Sequence, residues 1–168
     1  LLTTAGASFY RDIVDWPPGE RDGVVMGDFN LVPNCYRVRA LATQARLDAA
    51  LGHAAAAEAR RREAAAFREA VRAHFRKDGA FVDSIGADHL SIHGAVFALW
   101  SGVAEGAEIE VLKRLIVERG MACSVYGAQF LLDVCFEYGL AEHAVALMTS
   151  DSQRSWVNMM RRGATITL

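Results

Sequence analysis

Three stretches of this chain gather side chains of the kind that recognise polar ligands. In the first, Asp15 and Trp16 stand before Pro17, Pro18 and Gly19. A proline holds its predecessor in extended backbone and ends any helix there, which leaves a carboxylate and a flat indole on a stiff loop. An indole packs its face against the C–H face of a pyranose, and a carboxylate accepts hydrogen bonds from ring hydroxyls, so the pair suits a carbohydrate. The same two residues also fit a tryptophan plugging the core beside a capping aspartate; the sequence leaves both readings open. In the second stretch, Asp88, His89 and His93 surround Ser91. Two histidines four apart have metal-ligand spacing only when both lie on one helical face. Ser91 is suited to cap a helix start, which puts His89 outside it. With no HExxH pattern, the expectation is a polar rim with one satisfied, half-buried histidine and no metal. The third stretch runs through Cys123, Ser124, Tyr126 and Gly127. Apolar surroundings raise a thiol's pKa and no partner is indicated by spacing, so a cysteine nucleophile is not expected. Tyr126 is expected to point its hydroxyl into the pocket of Trp16, with the glycines letting helices approach closely.

Helical hairpins must position these groups. Apolar residues recur at three- and four-residue spacing over 31–51, and Gly52 reads as a stop. An alanine- and arginine-rich helix is expected over 53–77, its buried stripe formed by Phe67, Val71, His74 and Phe75 and its end set by Asp78 and Gly79. Residues 80–90 read as a loop with a brief extended start at Phe81 and Val82. Ser91 opens the next helix, and 107–119, 124–138 and 141–148 follow with glycines at the turns, before a last segment around Trp156. No stretch alternates strictly, so the class is all-α. The hairpins differ in length and show no fixed period, which argues against a repeat solenoid. Loops rich in Asp, His, Trp and Tyr fit hairpins closed into a toroid with polar and aromatic residues on one rim.

Composition excludes several classes. The 168 residues are 52% hydrophobic and 23% charged with a net charge of −2, an ordinary globular balance without the positive field of a nucleic-acid binder. The densest basic run, Arg60 to Arg62, reads as a solvated helix face. No apolar stretch approaches the roughly 18 residues of a membrane span, and the first ten residues lack a leader pattern. Three cysteines without CxxC spacing read as reduced core thiols and fit a cytoplasmic location. The apolar run after Gly163 and the leucine at position 1 suggest one partial domain over 1–168, truncated at both ends.

The order of Val14, Asp15, Trp16, Pro17, Pro18, Gly19, Glu20, Arg21, Asp22 and Gly23, then Phe81 to Ser84, then Asp88, His89, Ser91, Ile92 and His93, resembles the catalytic domain of family 78 glycoside hydrolases, the bacterial α-L-rhamnosidases. So do Arg119 to Leu132, Leu147 to Ser150 and Gly163 to Thr167. The likeness spans nearly the whole chain and departs after His93, where the family commonly has Ala and Asn and this chain has Gly94, Ala95 and Val96. It implies part of an (α/α)6 barrel and hydrolysis of terminal α-L-rhamnosides with inversion, without a cofactor. Inversion needs a general acid and a general base with carboxyls roughly 6.5 to 9.5 Å apart. By the resemblance the acid belongs upstream of Leu1 and the base in a glutamate just beyond Leu168. No catalytic residue is then expected in this chain, only part of the sugar subsite: Asp15, Trp16, Asp88, His89, His93 and Tyr126. The expected partner is a terminal α-L-rhamnoside or related carbohydrate, with self-association or docking of the missing barrel half through exposed apolar faces. Two other readings stand beside it, a non-catalytic helical interaction domain and another glycosidase or lyase on the same toroid.

Overall fold

The computed structural model describes residues 1–3 and 13–166. The N-terminal stretch read for a leader, over 4–12, and Thr167 of the last motif lie outside the described residues. A 3-10 turn, Pro18–Glu20, precedes α1 (Leu31–Ala50), α2 (Ala54–Phe75), β1 (Arg76–Lys77), β2 (Ala80–Phe81), α3 (Ile92–Trp100), α4 (Ala107–Arg119), α5 (Val125–Glu137), α6 (Ala141–Thr149) and α7 (Trp156–Arg161).

Consecutive helices pair as α1 with α2, α3 with α4 and α5 with α6, while α1, α3 and α5 neighbour one another in a single row. The sequence of α3 explains its place in the middle of that row. It carries no Asp, Glu, Lys or Arg, and Ile92 through Leu99 are all buried; a helix apolar on every side must be covered on every side. By contrast α2 buries only Ala57, Val71 and Phe75 and pairs Arg60, Arg61 and Arg62 with Glu58 and Glu63 on its outward side. Tyr36 of α1, Phe97 and Trp100 of α3 and Phe130 of α5 tie the row together, with ring centroids 4.9 to 6.0 Å apart in tilted and edge-on contacts.

Two details differ from the helical periodicity. His74 lies on the exposed side of α2, its Nδ1 2.8 Å from the Ala70 carbonyl, and is not part of the buried stripe. The helix ends at Phe75, because Asp78 and Gly79 do not cap it: both have positive φ, 50° and 81°, and form the two-residue turn of the β1–β2 hairpin. Below that hairpin Glu108, buried at the start of α4, accepts hydrogen bonds from both terminal nitrogens of Arg72 at 2.7 and 3.0 Å, from Arg76 Nε and from the Glu105 amide. Burial alone would raise this carboxyl, but the Arg72 and other donors outweigh it and hold the group below the usual range. The pair clamps the second hairpin onto the first.

Candidate functional site

Asp15 is fully buried, and both of its oxygens are in use. Oδ1 accepts from the Trp16 amide at 2.8 Å and from the Ser124 hydroxyl; Oδ2 accepts from the Ser124 amide at 2.8 Å and from His93 Nε2 at 2.8 Å. Ser124 is the N-cap of α5, and His93 lies in the first turn of α3, so one carboxylate joins the starts of two neighbouring helices. Burial pushes the Asp15 carboxyl up, but the bonds from His93, Ser124 and Trp16 prevail and leave it below its ordinary value. Room for this contact depends on Gly127, where an added Cβ would stand 2.7 Å from Asp15 Oδ2 and 2.9 Å from Cys123 Cβ.

Two more carboxylates serve α3 in the same way. Asp83 accepts from the Val25 amide, His89 Nδ1, the Ser91 amide and the Ser91 hydroxyl, at 3.0, 2.6, 3.2 and 2.6 Å. Asp22 accepts from the Ile92 amide at 2.7 Å and from Arg119 at 3.2 Å. Ser91 in turn takes the Gly94 amide at 3.0 Å. The first amides of a helix lack internal partners and favour negative charge, so these acids draw the 13–30 loop onto one end of the helical row. The approach there is close at Gly94, where an added Cβ would stand 3.3 Å from the Phe81 carbonyl oxygen.

Beside Asp15 opens a cleft of about 910 Å3. It is lined by Trp16, Pro17 and Glu20, by 121–125 and Ala128, and by Arg154, Ser155, Trp156 and Met159, among others. Trp16 is 68% exposed, which rules out the core-plug reading, while its neighbour Asp15 does act as a buried cap. Glu20 and Arg154, both on the lining, meet Nε to Oε2 at 3.1 Å. Cys123 lines the cleft, and burial, reinforced by the Asp15 charge, pushes its thiol up to about 12, far from a nucleophile's range.

The sequence-predicted site residues separate into groups. Trp16 faces the cleft; Asp15 and His93 lie beneath its surface, His93 with a buried Nδ1 that has no partner. His89 is partly exposed on Asp83, and a Cβ added at Gly23 would stand 3.3 Å from its Nε2. Asp88 points outward, 86% exposed, with Lys77 at 2.5 Å. Tyr126 does not line the cleft of Trp16: its hydroxyl lies 3.1 Å from that of Tyr36, and its ring leans on Phe130. The expectation of a shared pocket is corrected here, because the register of α5 turns residue 126 toward the aromatic row. Glu20, Asp22, Asp83, Ser124 and Arg154 were missed as site residues. Asp83 carries a weak sequence signal as an acid shortly before α3, but the bonds of Asp22 reach chain segments 70 and 97 residues away. Among the described residues no group of three metal-binding side chains comes together, and no helix is long and apolar enough to cross a membrane.

Paired helices with alternate members in one row, and a cleft at the end where helix starts collect, define a helical-hairpin domain. Residues 5–168 match the family model described as the bacterial alpha-L-rhamnosidase 6 hairpin glycosidase domain, and the chain belongs to this family. The fold is similar to that of the alpha-L-rhamnosidase from Dictyoglumus thermophilum, with a TM-score of 0.73 and 19% identity over 86% of this chain. The chain spans 17% of that protein's length. No curated protein sequence matches it. The described residues thus supply three helical pairs of a six-hairpin domain and the short helix α7.

Proposed function

We propose that this chain forms one side of the sugar site in an inverting, α-L-rhamnosidase-like glycoside hydrolase, and that the general acid and base come from parts of the domain outside it. The observation that carries this reading is the exposed Trp16 on the lining of the cleft, on a loop held rigid from below by Asp15. A terminal α-L-rhamnoside would lay its C–H face on the indole. The carboxylates beside the cleft are poor candidates for the proton transfers of inversion. Asp15 is held ionised and buried, Glu20 is paired with Arg154, and Asp22 is committed to the Ile92 amide and Arg119. Asp15 and His93 then act as positioning residues that fix the Trp16 loop against α3 and α5, and His89 holds the rim through Asp83.

The test is binding without turnover. Titration of the chain with methyl α-L-rhamnoside, read by tryptophan fluorescence, is expected to saturate, and Trp16→Ala to weaken binding by roughly tenfold or more, about 1.4 kcal/mol. An aryl α-L-rhamnoside is expected to stay intact. Equal affinity in the variant would remove Trp16 from the site, and steady hydrolysis abolished by Asp15→Asn would return the chemistry to this chain.

A further inference from the structure

We infer that Glu20 and Arg154 are the pair that recognises two neighbouring hydroxyls of the sugar in this cleft, a role the buried Asp15 and His93 leave vacant. The inference rests on the carbohydrate reading above. Asp15 and His93 are 0% and 2% exposed, and the four hydrogen bonds described for the Asp15 carboxylate come from the protein itself, so a ligand reaches neither. Of the other polar groups in the cleft, Ser124 bonds Asp15, Ser155 caps α7 through the Asn158 amide, and Arg119 serves Asp22 and the Leu90 carbonyl, while Gln153 also lines it.

Glu20 and Arg154 differ in place and in form. They line the cleft from segments 134 residues apart, with side chains 29% and 44% exposed, and meet twice, Nε to Oε2 at 3.1 Å and Nη2 to Oε1 at 3.3 Å. Arg154 Nη2 also bonds the Gly19 carbonyl at 3.2 Å. These bonds use Nε–H and both Nη2 hydrogens, which leaves Nη1 as the free donor of Arg154 and a remaining lone pair on each carboxylate oxygen of Glu20. A hydroxyl both donates and accepts, so of two adjacent hydroxyls one can accept from Nη1 and the other donate to Glu20, while a single one reaches one partner. Both partners sit on stiff supports: Glu20 ends the 3-10 turn that begins at Pro18, and Arg154 immediately precedes the Ser155 cap of α7. Little ordering is left to be done on binding, which favours affinity. Trp16 lines the same cleft, so a pyranose on its indole has the pair within the same enclosure.

The distinguishing measurement compares methyl α-L-rhamnoside with its 3-deoxy analogue, which lacks the hydroxyl common to both vicinal pairs of the ring. The chain is expected to prefer the parent sugar by roughly tenfold or more, since a site built around a hydroxyl rejects a ligand without it. Arg154→Gln and Glu20→Gln are each expected to lose most of that preference, whereas Trp16→Ala weakens both sugars alike. Arg154→Lys, which keeps the charge but not the fork, is expected to lose it too and serves where the glutamine variant unfolds. If the variants weaken both sugars equally, or change neither, the pair only ties the two segments together and the inference fails while the carbohydrate reading stands. If the unaltered chain binds neither sugar, both fail.

Discussion

Asp15 carries more of this site's geometry than any other single residue described. Its four bonds reach the Trp16 backbone, the cap of α5 and the first turn of α3, all without solvent. Removing one partner of a buried, charge-assisted network leaves the remaining donors unsatisfied, a larger loss than the net worth of the bonds. Asp15→Asn is expected to destabilise the chain by about 3 kcal/mol in urea titration, and to weaken rhamnoside binding only through displacement of the Trp16 loop. An unchanged urea midpoint would show that the network is dispensable. Trp16 is the opposite kind of residue: it is mostly in solvent, so its replacement is expected to cost little folding energy.

At the scale of elements, the starts of α3 and α5 are the joints of the site. Ser91 and Ser124 cap them in the ordinary way, and Asp22, Asp83 and Asp15 add charge where helix dipoles favour it. The closeness of α5 to Asp15 rests on a missing side chain. Gly127→Ala would drive a methyl group to 2.7 Å from a carboxylate oxygen, and the resulting shift is expected to cost about 1 to 3 kcal/mol. Gly19→Ala is the control: nothing lies within 4 Å of that position, so a change of no more than about 0.5 kcal/mol is expected. Denaturation midpoints of the two variants compared side by side check the packing argument, and equal values would refute it.

For the molecule as a whole, two buried carboxylates set its response to acid. Asp15 and Glu108 lie in different parts of the fold, and both are held below their ordinary values by donors that outweigh the cost of burial. A carboxyl depressed in the folded state stabilises above its unfolded pKa, near 4, and that contribution is lost as pH falls through the folded value. The denaturant midpoint is therefore expected to stay level from neutral pH down to about 5 and to fall below about 4, with Glu108→Gln flattening part of that limb. A midpoint insensitive to acid down to about pH 3 would contradict the assignment.

Much of this architecture was legible in the residues themselves. Helix limits at Gly52, Ser91, Gly120 and Gly139 could be read because glycine stops and serine caps act within a turn of chain. The tryptophan before a proline could be placed on a stiff loop for the same local reason, but whether it faced solvent or the core was decided only by the tertiary structure. What local pattern could not reach was every contact made between distant segments. The Asp78–Gly79 pair served equally as a helix stop or a hairpin turn until β2 arrived to pair with β1. Asp15 sank beneath the cleft because His93 and Ser124 came to it from 78 and 109 residues away. Tyr126 turned to Tyr36 across 90 residues, and Glu20 met Arg154 across 134. Periodicity and caps report a residue's own helix; which acid is buried, which is exposed, and what faces it are decided only when helices from separate hairpins close on one another.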